Sequence, residues 1–212
     1  MKILKKVVII FLLLFIYTSI CAFSYSQSII NDIQKSIFRL HVIANSNSNE
    51  DQNLKYLVRD KILEYINSIS KENNSKDDII KIVNENQEKI KKIAENTIKE
   101  NGFNYPVKIS IGNFPFPTKS YGDISFPSGN YDALKIEIGN AKGKNWWCVM
   151  FPPLCFVDVT SGIVPEESKK TLQDNLSDEE YEILSQNTDT MDFKFKIVEI
   201  FQNLNIKIAQ KN

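Results

Sequence analysis

Histidine occurs once in this 212-residue chain, as His41, in the middle of a predicted strand. A nucleophile needs a base within hydrogen-bond reach, so there is little here from which to build acid–base or covalent catalysis. The sequence also lacks a G-x-S-x-G elbow, an H-E-x-x-H pair and a phosphate-cradling loop. Gly139-Asn140-Ala141-Lys142-Gly143-Lys144 has neither the P-loop spacing nor its Ser/Thr. Asp123, Asp132 and Asp158 flank aromatic loops. A glycosidase-type pair would need two of them facing each other at about 5 or 6.5 to 9.5 Å; the preferred reading makes them terminators of strands and turns. No catalytic residue, cofactor or small-molecule substrate is expected.

An excess of positive charge is also missing. Lys plus Arg and Asp plus Glu both number 26, and Lys2, Lys5 and Lys6 precede the first acid, Asp32. The remainder carries net −3, without a basic stripe or interleaved aromatics, which argues against a nucleic-acid partner. No repeat, low-complexity tract or second domain is visible.

Those three lysines open the N-terminus, and Val7–Ile20, VVIIFLLLFIYTSI, is an uncharged apolar run behind them. This is the pattern of an export signal. As a helix the run spans about 21 Å against a hydrocarbon core of about 30 Å, which favours a cleaved signal over an anchor. Cleavage is expected near residues 22–26, after Ala22 or at the better-shaped Ser24/Ser26. Cys21 is a poor lipidation site because Ile20 stands where Gly or Ala is needed. Residues 1–26 are therefore read as signal peptide and 27–212 as one domain, large enough to bury about 70% of its unfolded surface.

Within the domain, Ile37–Ala44 reads as a strand and the apolar spacing from Asp51 to Ile69 as an amphipathic helix. A second helical stripe runs from Ile79 to Ile98 and ends at Gly102. The period becomes two at Val107–Ile111 and again at Leu134–Ile138, marking half-buried strands. Phe114–Pro117 and Phe126–Gly129 read as loop between them, and residues 139–144 as the turn into the next strand. Ser177–Glu180 is a capping-box sequence opening a short helix, and Phe193–Ile208 a last amphipathic one. The class is α+β: a mainly antiparallel sheet of neighbouring strands with helices packed on one face.

The stretch that most needs explaining is Asn145–Asp158, NWWCVMFPPLCFVD, with both tryptophans and two of the three cysteines. Pro152-Pro153 interrupts it, so it reads as a hairpin: Cys148–Phe151 outward, a proline corner, and Leu154–Val159 returning. That geometry sets Cys148 near Cys155. An exported chain losing Cys21 with its leader keeps an even pair, which predicts a disulfide; the alternative is two buried thiols. With the pair bridged, the single histidine falls short of an ordinary zinc site. Alternation sends Trp146 and Trp147 to opposite faces, one toward the core and one toward cover of some kind, the chain's own or a partner's. The candidate partner-binding set is Trp146, Trp147, Phe151, Pro152, Pro153, Phe116 and Phe126.

Together with RLHVIANSNSNEDQNLKYLVRD near the start and FPTKSYGDISFPSGNYDALKIEIGNAKGK, this stretch resembles the stage II sporulation protein R family of endospore-forming bacteria, from about Arg39 to Asp158. The resemblance implies a protein made in the forespore and secreted into the space between the forespore and mother-cell membranes. There it would trigger a membrane-embedded aspartic-type protease of the mother cell, which processes the precursor of the early mother-cell sigma factor. By that similarity the chain is the signal and not the protease, touching membrane only through its leader or its partner. A secreted hydrolase of wall or peptide, and a structural protein tethered by an uncleaved leader, are the competing expectations.

Overall fold

The computed structural model describes residues 2–70, 75–155 and 164–185. It is an α+β fold whose element order is α1 (Lys2–Ser36), β1 (Phe38–Ile43), α2 (Asn49–Ile69), α3 (Lys76–Glu85), α4 (Gln87–Glu100), β2 (Val107–Phe116), β3 (Lys119–Tyr121), β4 (Ile124–Phe126), β5 (Gly129–Ile138), β6 (Asn145–Phe151), α5 (Glu166–Asn175) and α6 (Asp178–Ser185). The predicted Phe193–Ile208 helix lies outside the described residues.

The main sheet has the order β2-β5-β1-β6. Its outer pairs are antiparallel, as expected, but β1 and β5 at the centre run parallel. β1 is buried along its whole length, which its near-continuous apolar run anticipates, since a central strand is covered on both faces. Position in the sheet corrects the expectation of a run of neighbouring strands. β5 and β6 follow each other in sequence, yet β1 lies between them, so residues 139–144 arch over the end of β1 instead of closing a hairpin. The Lys142 amide donates to Asn45 O at 3.1 Å and the Gly143 amide to Ala44 O at 2.9 Å. Glycine is required there: a Cβ on Gly143 would lie 2.1 Å from the Ser46 carbonyl oxygen.

One face of the sheet, lined by Leu40, Val42, Leu134 and Ile136, takes α2 and α4. α2 is capped by Ser48, whose hydroxyl accepts the Asp51 amide. The predicted 79–98 helix is two, α3 and α4, parted at Asn86. Asn86 turns its amide back to Ile82 O at 2.8 Å and accepts the Tyr65 hydroxyl at 2.6 Å, side-chain bonds that compete with the helical ladder.

The opposite face is covered by β3 and β4, a two-stranded sheet formed where a proline-punctuated loop was expected. β2 runs on through Pro115 to Phe116, which its position at the sheet edge permits because an edge proline has no ladder bond to lose. α6 packs on β4 and opens on the predicted capping box, the Ser177 amide donating to Glu180 Oε2 at 2.6 Å and the Glu180 amide to Ser177 Oγ at 3.3 Å. α5, after Pro165, carries no strong sequence pattern and was not anticipated.

The N-terminal helix is longer than its apolar run. Residues 31–36 form its last turns, and Ile29, Ile30 and Ile33 are buried in the domain.

Candidate partner-binding site

β6 is the edge strand that carries the tryptophans. Its register opposite β1, Trp146 against Val42 and Trp147 against His41, places Trp146 on the helical face and Trp147 on the face covered by β3 and β4. Trp146 meets Tyr56 edge-on at 5.3 Å, and the Arg59 guanidinium lies over it at 4.3 Å. Trp147 stacks on His41 at 3.6 Å between ring centroids and meets Phe116 at 4.7 Å. Both indoles remain half-buried, while Cys148, Val149, Met150 and Phe151 behind them are buried.

After Phe151 comes a cis peptide bond to Pro152, and the chain turns at once. Leu154 returns its amide to Val149 O at 3.0 Å. Cys155 is in turn geometry and Leu154 in no regular element, so the expected return strand is absent from its first two residues; Phe156–Val159 lie outside the described residues. The predicted disulfide is present, Cys148 to Cys155, with a Cα separation of 5.1 Å. It fastens a tight turn instead of a strand pair.

Beneath Trp147 lies a residue that the sequence reading passed over. Arg39 is fully buried. Its guanidinium lies 4.3 Å from the Phe116 ring, 4.8 Å from Tyr131 and 5.8 Å from Phe126. Nη2 donates to the Tyr121 hydroxyl at 2.9 Å, and that hydroxyl donates to Trp147 O at 3.0 Å. Among the described residues Nε and Nη1 have no hydrogen-bond partner and no carboxylate pairs with the guanidinium. Burying a cation that way is costly; three ring faces and one phenol offset that cost through cation–π contact. A signal existed in the sequence, an arginine inside an otherwise apolar central strand, but only the fold brings Phe116, Tyr121, Phe126 and Tyr131 to it.

Of the seven candidate binding residues, Pro153 is exposed, Trp146 and Trp147 are half-buried, and Phe116, Phe126, Phe151 and Pro152 are buried. The Phe-Pro segments thus form the layer under the surface, because the Arg39 guanidinium gathers their rings.

His41 is likewise structural in its contacts. Burial is the main cause that pushes its pKa down to about 4, so the ring is neutral at pH 7, and Nε2 lies 2.8 Å from Asn145 Oδ1. Asp123 is bound to Lys169 at 2.7 Å and Asp132 to Lys76 at 2.7 Å; each carboxylate is held below its usual range with its lysine among the causes. Asp158 lies outside the described residues. Among the described residues no cluster of His, Cys, Asp and Glu has metal-binding geometry.

The family model for stage II sporulation protein R matches residues 34–161. Stage II sporulation protein R of Bacillus subtilis (strain 168) is 37% identical over 137 residues, 65% of this chain and 61% of the relative. The match therefore spans less than two thirds of that relative's length. No solved structure matches.

Proposed function

The chain belongs to the stage II sporulation protein R family, and from that premise we propose that it is an exported signal of sporulation that binds and activates a membrane-embedded, sigma-precursor-processing protease of the mother cell. It is made in the forespore and acts in the space between the forespore and mother-cell membranes. The observation that carries this reading is the family match across the residues that build the sheet, the aromatic layer and the tryptophan strand. A helix apolar enough to enter a membrane at the N-terminus, with lysines before it, supports export.

Activation by such a ligand is a population shift: the protease is stabilised in its active arrangement by as much as the ligand prefers that arrangement. Trp147 and Pro153 are the reachable part of the surface we assign to this contact, with Trp146 at its rim. Phe116 meets Trp147 from beneath at 4.7 Å, while Phe126, Phe151 and Pro152 are buried. A half-exposed indole fixed by a stacked histidine is already ordered before binding, which lowers the entropic cost of using it as an anchor.

The competing reading, a hydrolase of wall or peptide, needs an activated nucleophile or a facing carboxylate pair. His41 is occupied by Asn145 and Trp147, and Asp123 and Asp132 by lysines. The test is capture: the exported domain, immobilised, should retain the detergent-solubilised cognate protease. Its failure to do so, together with turnover of wall or peptide substrates by the purified domain, would replace this reading with the hydrolase.

A further inference from the structure

The two edges of the main sheet are finished differently. On β6 the chain caps its own edge: Trp147 O accepts the Tyr121 hydroxyl at 3.0 Å and Val149 O accepts the Leu154 amide at 3.0 Å. On β2, at the other edge, no backbone bond from the described residues reaches the side turned away from β5. We propose that β2 is a docking edge for a second copy of this chain: the two β2 strands pair antiparallel across a two-fold axis at Ser110 and join two four-stranded sheets into one. The inference concerns the edge opposite the tryptophan strand and does not rest on the signalling role.

The register identifies the open groups. Gly139 donates its amide to Pro106 O at 2.9 Å, and the pairing then runs unbroken from Val107 opposite Ile138 to Phe116 opposite Gly129. Antiparallel neighbours alternate between pairs that exchange both backbone bonds and pairs that exchange none. The even-numbered residues of β2 therefore bond to β5, and Val107, Ile109, Ile111 and Asn113 turn their N–H and C=O groups outward. Pro106 stands before this row and Pro115 after it; neither has an N–H to offer, so the row of donors is symmetric about Ser110. Native edges are commonly blunted by a bulge, an interrupting proline or a free charge. None falls inside this row, because the one charged side chain of β2, Lys108, is drawn to Glu137 at 3.5 Å.

A second β2 laid antiparallel about Ser110 meets this row donor for acceptor. Ile109 falls opposite Ile111 of the second copy and Val107 opposite Asn113, so every residue of the row finds a partner and about eight backbone hydrogen bonds form, two per pair. Side chains agree with the same register. Ile109 and Ile111, half-buried and paired with Ile136 and Leu134 on the helical face, gain a β-branched neighbour across the axis, the kind of cross-strand pair that stabilises a sheet. On the other face Ser110 meets its own copy, hydroxyl to hydroxyl. Lys108 falls opposite Gly112, so no like charges oppose each other.

An open edge accepts any strand of suitable sequence. What selects a copy of the same chain is self-complementarity, since a two-fold interface must be its own complement. A donor row with a proline at each end and no like charges in opposition meets that condition. An axis normal to the sheet also preserves its faces: the helical layers of both copies lie on one side of the joined sheet and the β3–β4 sheets on the other. Both β6 edges, with their tryptophans, remain at the far ends of the pair.

The experiment uses the exported protein, produced from the full-length chain in a bacterium that lacks the sporulation proteins, and reads its mass by sedimentation from low to high micromolar concentration. A dimer is expected. Ile109→Pro removes an outward N–H that β5 does not use. It should raise the dimer dissociation constant about tenfold or more, because the axis doubles each lost bond, and should leave the far-ultraviolet circular dichroism unchanged. Ser110→Glu sets two carboxylates against each other across the axis while facing Lys135 within its own chain; it should dissociate the dimer, and it decides the matter if Ile109→Pro does not fold. Ser110→Cys should form a disulfide between copies on mild oxidation, since strand partners of this kind stand about 4.5 Å apart at Cα. Lys108→Cys, about 14 Å from its counterpart at about 3.4 Å per residue, should not. A monomer at every concentration would overturn the proposal. So would a dimer that survives both Ile109→Pro and Ser110→Glu, or crosslinking by Lys108→Cys as fast as by Ser110→Cys.

Discussion

Arg39 donates through Nη2 to the hydroxyl of Tyr121 at 2.9 Å, and Tyr121 passes the bond on to the backbone of Trp147. The buried cation, the small β3–β4 sheet and the tryptophan strand are joined through that one phenol. Tyr121→Phe removes the acceptor for a buried guanidinium and the donor to a part-buried carbonyl at once. A loss of about 1 to 3 kcal/mol is expected for each group left unsatisfied. Urea unfolding of Tyr121→Phe should show a lower midpoint at unchanged m-value; an unaltered midpoint would mean that water replaces the phenol.

The pH dependence of stability should carry the signature of His41. Its folded pKa is about 4 against an ordinary 6.5, so the unfolded chain takes up a proton in a window where the folded chain does not. Stability from this group is complete above pH 6.5, falls as the pH drops toward 4, and falls no further below that. His41→Gln, which keeps a donor for Asn145, should melt with a weaker pH slope between 6.5 and 4 than the parent. Parallel slopes would remove His41 as the cause.

The Cys148–Cys155 bridge closes a short loop and should contribute about 2.5 kcal/mol in the chain-entropy account. The double variant Cys148→Ser, Cys155→Ser is expected to fold, with a melting temperature lowered by several degrees. Near-ultraviolet circular dichroism should change at the tryptophan bands while the far-ultraviolet signal is kept. Collapse of the whole domain would show that the bridge holds more than its turn.

The two tryptophans should separate stability from recognition. Trp146 is clasped by Tyr56 and Arg59 of α2, so Trp146→Ala is expected to lower stability and to leave signalling intact in the folded fraction. Trp147→Phe keeps an aromatic ring on His41 and should preserve the fold while lowering affinity for the protease, by 2 kcal/mol or more if it is a hot spot, roughly thirtyfold. Two folded variants with full activity would remove the strand from recognition.

Much of this architecture was legible in local pattern. The strand at β1, the amphipathic stripe of α2, the Ser177 capping box and the Cys148–Cys155 pair all follow from spacings within a few residues. What was hidden depends on distant partners. Nothing near residues 139–144 states that β1 will lie beneath them, although Gly143 is required by how closely the Ser46 carbonyl, just after β1, approaches. Pro115 argued for a loop because its tolerance in a strand depends on that strand being the sheet edge. The burial of Phe116 and Phe126 could not be foreseen without Arg39, whose ring contacts are assembled from β2, β4 and β5.

The central claim, that this chain is the signal that switches on a sigma-precursor-processing protease, is tested most directly in a heterologous cell. The cognate protease and the sigma precursor are expressed with the full-length chain, without it, and with a chain lacking residues 1–22. The ratio of processed to unprocessed sigma factor is then measured. The account predicts processing with the full-length chain alone, and none when the chain is absent or confined to the cytoplasm by loss of its N-terminal helix. Processing without the chain, or equal processing with the truncated one, would contradict it.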